Sequence, residues 1–170
     1  MAAEVAAAMT PSNEPVRYME RTRRYYRALG YEQDYVWAHY ADVPFARLAK
    51  PLADCRIALV TTASPLTAVR ADGSVAKQVW SGSVSPPPES LFTDNVAWDK
   101  ESTHTRDRES FLPIETAGLL AREGRFAGLA AHFHGVPTEY SQRKTLIDDA
   151  PQVLSRLRAD GADAAILCPL

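Results

Sequence analysis

Three short apolar runs in this sequence each lead into hydroxyl, imidazole or thiol side chains, which are the groups that carry nucleophilic and acid–base chemistry. The runs and the groups that follow them are 57–60 with Thr61 and Thr62, 126–131 with His132 and His134, and 164–167 with Cys168. Each run is short and continuous, as expected of a strand that is buried on both faces of a parallel sheet. In open parallel sheets ligands bind beyond the carboxyl ends of the strands. The sequence therefore predicts that these groups meet at one edge of a sheet.

His132 and His134 are candidates for acid–base chemistry in this set. Alternate side chains of a strand point to the same face, so the two imidazoles would lie side by side. His134 stands beside Gly135 and is the better candidate. A histidine in such a position is also commonly a hydrogen-bonded structural residue. The sequence shows no third ligand at a spacing typical of a metal site, so we expect no metal.

A second group of ionisable residues lies in a long excursion, residues 64–110, that has little regular pattern. Long loops in compact domains are usually functional or mobile. Within this excursion His104 stands near Arg106 and Asp107, although a charged surface loop is an equally simple interpretation. The candidate catalytic residues are His104, His132, His134 and Cys168. The candidate substrate contacts are Thr61, Thr62, Arg106, Asp107 and Tyr140.

Helical segments separate the three predicted strands. Apolar spacing, Pro113 and closing glycines predict helices over 15–29 and 113–124, and two helical pieces over 141–149 and 151–159. Strands that alternate with helices predict a Rossmann-like, three-layer α/β fold with a mostly parallel sheet and right-handed crossovers. We expect one such domain over 15–170, after a disordered tail over 1–14.

Composition excludes several classes of protein. The 170 residues carry a formal net charge of -2, which provides no general attraction for nucleic acid. No apolar stretch approaches the roughly 20 residues that cross a bilayer. The two cysteines cannot form a disulfide framework, and the absence of a G-x-G-x-x-G or P-loop motif argues against a nucleotide cofactor. The alanine-rich start lacks the basic segment of a secretory signal, which predicts a cytoplasmic protein.

The order of several short stretches resembles the selenoprotein B family of glycine, sarcosine, betaine and D-proline reductases. These stretches are Lys50-Pro51-Leu52, the strand 58–63 with its two threonines, the segment 104–107 before a helix that begins with proline, and 160–167. The resemblance covers most of residues 43–170. The family commonly has a glycine-containing turn where this chain has Ser64 and Pro65.

The resemblance implies an oxidoreductase that cleaves a small amine-bearing substrate reductively. In that family a selenolate, or a thiolate in its place, displaces the amine, and partner subunits with a dithiol/disulfide couple take over the organic group. The nucleophile follows the strand that corresponds to 164–167, where this chain has Cys168. We therefore expect no bound cofactor, a homo- or hetero-oligomer, and a sheet left incomplete because a selenocysteine is encoded just beyond Leu170. The alternatives are an ordinary C-terminus on an edge strand and a sheet that is completed by a second subunit.

Two other functions fit the same pattern. One is a racemase-like enzyme that needs no cofactor, but this mechanism generally uses two facing thiols, and Cys55 precedes its strand while Cys168 follows its own. The other is a non-catalytic, Rossmann-like subunit that binds a partner through the arginine-rich first helix.

Overall fold

The computed structural model describes residues 17–34, 36, 38–43, 46–94, 107–138 and 141–169. Internal contacts divide the chain after Val43 into two units. The predicted tail over 1–14 and three of the predicted site residues, His104, Arg106 and Tyr140, lie outside the described residues. Within the described part of the chain, no helix is both long enough and apolar enough to cross a membrane.

The first unit contains helix α1, Tyr18–Ala28, which buries none of its residues. Gly30 follows it with a φ of 87°, in the left-handed region where glycine is favoured, so the predicted stop is in place. Arg23 and Arg27 approach the carboxylate of Asp34 to 3.2 and 2.8 Å. Part of the arginine-rich surface is therefore paired within this unit.

The second unit is built on a five-stranded, mostly parallel sheet. Its strands are β1 Arg56–Thr61, β2 Trp80–Ser83, β3 Gly128–Leu129, β4 His132–Gly135 and β5 Ala164–Cys168. Strand β1 is central: β5 runs parallel along one of its edges, and β3 followed by β4 run parallel along the other. Strand β2 pairs antiparallel with β4 at the far side. The prediction of an α/β protein with a mostly parallel sheet is confirmed.

The strand predicted over 126–131 is displaced and divided in the structure. Arg56 of β1 pairs with Gly128, whereas Val60 pairs with His134, so this stretch has two more residues than the part of β1 that it faces. Ala130 and Ala131 form the resulting bulge between β3 and β4. The two histidines consequently lie inside β4 and do not follow the end of a strand.

The helices of the second unit are α2, Ile114–Arg122, then α3, Gln142–Lys144, and α4, Ala150–Ala159. A π-helical turn, Thr145–Asp149, joins α3 to α4. The two helical pieces expected on either side of Pro151 are thus one continuous run. Pro151 lies inside this run, just after the π-helical turn, where the regular i→i−4 hydrogen bonding of an α-helix is already interrupted.

Helices α2 and α4 pack on opposite faces of the sheet. Leu59 of β1 belongs to the same apolar cluster as Ile114 of α2, whereas its neighbour Val60 packs with Val153 of α4. Successive strand residues point to opposite faces. We refer to these two sides as the α2 face and the α4 face.

The excursion after β1 contains strand β2, which the sequence analysis did not predict. Its sequence, Trp-Ser-Gly-Ser, has too few apolar residues to show a strand pattern. Two glycines make its pairing with β4 possible: a Cβ atom on Gly82 would lie 2.5 Å from the Phe133 ring, and one on Gly135 would lie 1.8 Å from Trp80 Nε1. Trp80 and Phe133 then pack edge to face, with centroids 5.2 Å apart. The pairing places Ser81 beside His134.

Candidate functional site

Five polar side chains from β2, β4 and the end of α4 converge on the α4 face. This histidine cluster consists of Ser81, His132, His134, Arg156 and Asp160. His132 Nδ1 lies 3.0 Å from Oδ1 and 3.2 Å from Oδ2 of Asp160. His134 Nε2 lies 3.5 Å from Oδ2 of the same carboxylate. The two imidazoles therefore share one face of β4, as their alternate spacing predicts, and Asp160 lies between them and the helix.

Ser81 connects His134 to Arg156. The Ser81 hydroxyl oxygen lies 2.9 Å from His134 Nδ1 and 2.9 Å from Arg156 Nη1. A guanidinium can only donate, so Ser81 accepts from Arg156 and has its own hydrogen available for His134. That arrangement makes Nδ1 of His134 the acceptor and leaves the ring proton on Nε2, which lies 3.5 Å from Asp160 Oδ2. The second Arg156 nitrogen donates to the Val79 carbonyl at 3.2 Å.

Regular secondary structure brings these five residues together. Ser81 is paired with His134 across β2 and β4, and Ser83 with His132, so their side chains share a face. Arg156 and Asp160 are four residues apart at the C-terminal end of α4, a spacing that places them on one side of a helix. The cluster is thus formed where the end of α4 crosses β4 and β2.

The environment of His134 keeps its imidazole neutral. The residue is 1% exposed. Burial lowers the pKa of His134 below its usual 6.5; the Asp160 carboxylate opposes this shift, and the positive charge of Arg156 and the neighbouring His132 add to it. Among the described residues, no group makes a well-aligned hydrogen bond to its Nε2 atom. At neutral pH His134 can therefore accept a proton at Nδ1.

Thr61 and Cys168 form a separate pair at the carboxyl ends of β1 and β5. They are in register with each other, one position beyond Val60 and Leu167. Strand alternation places them on the α2 face, whereas the histidine cluster occupies the α4 face. Thr61 is buried and its hydroxyl accepts the Ala63 N–H at 3.2 Å. The sequence predicted that the threonines, the histidines and Cys168 would meet at one edge of the sheet. In the structure the sheet lies between Cys168 with Thr61 on one face and the histidines on the other.

The Cys168 thiol is partly exposed, and burial raises its pKa above 9.0. The thiol is therefore protonated at neutral pH.

Two further predicted site residues, Thr62 and Asp107, lie outside the histidine cluster. Thr62 follows the end of β1. Asp107 has a local structural role, since its carboxylate accepts the Glu109 N–H at 3.0 Å and caps the short helical turn Arg108–Ser110.

A groove of about 530 Å³ opens on the α2 face. The residues that line it include Trp80, Phe133, Leu66, Leu91 and the proline run 86–88. Pro65, which follows shortly after the end of β1, also lines the groove. The groove is thus on the same face of the sheet as Cys168.

Sequence reasoning missed Ser81, Arg156 and Asp160. Arg156 and Asp160 carried a usable signal, because their spacing of four residues in a helical pattern puts both on one side. Ser81 carried no such signal, because its position depends on a strand pairing between distant segments.

Among the described residues, no group of three or more histidine, cysteine, aspartate or glutamate side chains is arranged to hold a metal ion. No family model, curated protein or solved structure matches this chain.

Proposed function

We propose that this chain is an oxidoreductase subunit of the selenoprotein B type, which cleaves a carbon–nitrogen bond in a small amine-bearing substrate. The observation that carries the proposal is the position of Cys168, which adds to the sequence resemblance. Cys168 and Thr61 are in register at the carboxyl ends of two parallel strands. Ligands of open parallel sheets bind at this edge, and the thiol is partly exposed there.

The reaction requires a nucleophile, a leaving amine and an electron donor. The Cys168 thiolate attacks the carbon that bears the amine, so that a carbon–sulfur bond forms while the carbon–nitrogen bond breaks and the amine leaves with a proton. A dithiol partner then cleaves the thioether. It supplies two electrons and two protons, ends as a disulfide, and releases the reduced product and the Cys168 thiol. A selenolate would carry out the same displacement.

The raised pKa of Cys168 indicates what else the reaction needs. A protonated thiol is a poor nucleophile, and a nearby cation or base is the usual means of activating it. The histidine cluster lies on the other face of the sheet. The activating group is therefore expected from outside the histidine cluster, for example from the bound substrate or from a second subunit that also supplies electrons.

The racemase-like alternative requires two thiols that face one substrate. Cys55 directly precedes β1, whereas Cys168 is in register with Thr61 at the other end of that strand. Six residues of strand span about 20 Å. The two cysteines of this chain cannot both reach one small substrate within a single copy. The non-catalytic alternative, binding through α1, is separated from the proposal by the experiment below.

The experiment incubates the purified chain with glycine, sarcosine, betaine or D-proline and with dithiothreitol as the dithiol, at pH 7 to 9. Substrate loss and a thioether adduct on the Cys168 peptide are followed by mass spectrometry. Cys168→Ser should abolish both. Cys55→Ser is the matched control, because Cys55 is buried and its thiol faces the Pro51 carbonyl at 3.3 Å. Equal turnover by Cys168→Ser, or no adduct with any of the four substrates, would reject the proposal. A stable partner recovered without turnover would favour a binding subunit.

A further inference from the structure

The histidine cluster combines a hydroxyl, an imidazole and a carboxylate on the opposite face of the sheet from Cys168. Ser81 is exposed, whereas the imidazole beside it is buried. The hydroxyl and the imidazole lie 2.9 Å apart, within the range for proton transfer between a nucleophile and its base. Behind the imidazole, the Asp160 carboxylate lies 3.5 Å from Nε2. The imidazole of His134 thus lies between an accessible hydroxyl and a carboxylate.

Arg156 and His132 determine which atoms of Ser81, His134 and Asp160 donate and which accept. Arg156 donates to the Ser81 oxygen at 2.9 Å, which occupies one lone pair and leaves the hydroxyl hydrogen for His134. A positive charge at this oxygen also favours the alkoxide over the alcohol. His132 donates to the same carboxylate that faces His134, at 3.0 Å. Asp160 is therefore held in place by His132 while it faces the other imidazole.

We infer that Ser81 and His134 are the nucleophile and general base of an acyl-transfer site on the α4 face, with Asp160 and Arg156 as positioning residues and small esters as the substrate class. Unrelated protein folds have acquired the same order of serine, histidine and carboxylate, so the roles are defined by geometry and not by chain position. The ring nitrogens are exchanged here: Nδ1 faces the serine and Nε2 the carboxylate. Either nitrogen of an imidazole can act as the base.

This reaction requires no oxidant or reductant. Ser81 Oγ attacks the ester carbonyl while its proton moves to His134 Nδ1. The carbon–oxygen bond to the leaving alcohol then breaks, and His134 returns the proton to that alcohol, leaving an acyl group on Ser81. A water molecule, deprotonated by His134, releases the acid and restores the hydroxyl.

The first test uses an alkyl fluorophosphonate, which reacts with an activated serine by losing fluoride and forming a serine–phosphorus bond. We expect a single adduct on the Ser81 peptide of the wild-type chain, identified by mass spectrometry. Ser83→Ala is the matched control, since Ser83 lies on the same strand and face, is exposed, and donates to the Ser85 carbonyl at 2.8 Å. It should be labelled like the wild type, and Ser81→Ala should not be labelled.

The second test measures hydrolysis of p-nitrophenyl acetate between pH 5 and 8. Ser81→Ala should reduce kcat/KM by at least about 100-fold. His134→Gln should do the same, with its folding verified by circular dichroism. Asp160→Asn should reduce kcat and also displace the pH profile, which a purely structural role would not do. No adduct on wild-type Ser81, or hydrolysis by Ser81→Ala at the wild-type rate, would overturn the inference. Both probes report on the serine and neither requires a dithiol, so their failure is distinct from failure of the reductase proposal.

Discussion

His132 and Asp160 are joined by an imidazole–carboxylate contact of 3.0 Å, although 28 residues separate them in the chain. The contact attaches the end of α4 to β4. The same carboxylate faces the buried His134. Asp160 consequently supports both the packing of α4 on the sheet and the polar surroundings of the proposed base.

The first prediction concerns the unequal value of these two residues for stability. His132 is half exposed, so His132→Ala should lower the free energy of unfolding by no more than about 1 kcal/mol. Asp160→Ala removes the carboxylate that is hydrogen-bonded to His132 and lies 3.5 Å from the buried His134 Nε2, and it should cost about 1–3 kcal/mol. Urea denaturation followed by circular dichroism measures both variants. Equal losses would show that the carboxylate does not act on both histidines.

The second prediction concerns the pH dependence of stability. The pKa of His134 is lower in the folded chain than its usual 6.5, so between these two values the unfolded chain binds more protons. The contribution of neutral His134 to the free energy of unfolding is therefore fully present above about pH 6.5 and declines as the pH falls below that value. Urea denaturation of the wild type and His134→Gln between pH 5 and 7.5 should give a smaller slope for the variant. Parallel curves would contradict the lowered pKa.

The third prediction concerns the reactivity of the two thiols. Because burial raises the pKa of Cys168 above 9.0, its alkylation by iodoacetamide should be slow at pH 7 and should accelerate up to and beyond pH 9. Cys55 is 0% exposed and should react only after unfolding. Mass spectrometry of peptides sampled over time distinguishes the two sites. Rapid labelling of Cys168 at pH 7 would reveal an activating group close to the thiol.

The fourth prediction concerns the pairing of β2 with β4. A methyl group on Gly135 would overlap the Trp80 indole, so Gly135→Ala should destabilise the chain by about 1–3 kcal/mol through overpacking. Gly118→Ala is the control. Gly118 lies in α2 with its nearest neighbouring atom, Arg122 Nη1, 3.6 Å from the added methyl, and alanine is the better helix former by about 1 kcal/mol. Urea denaturation should move the two variants in opposite directions.

The outer strand β5 illustrates a limit of reasoning from apolar runs. Its sequence predicts a strand buried on both faces, and the strand and its parallel pairing with β1 are present. Leu167, however, is 71% exposed and Ile166 is 46% exposed. A run of apolar residues indicates that a segment suits a buried strand. Whether neighbouring elements cover it depends on the position of that strand in the sheet.

Local pattern was sufficient for β1, β5, α2 and the helical run that ends at Ala159, because each has a hydrophobic period or a terminating residue that acts over a few positions. It also placed His132 and His134 on one face. Local pattern could not predict the histidine cluster. The bulge at Ala130 and Ala131, the strand containing Ser81, and the contact of Asp160 with both imidazoles all depend on pairings between residues far apart in the chain. The separation of Cys168 from the histidines was decided in the same way, because neighbouring positions of a central strand face opposite sides and only the register of its partners determines which groups meet.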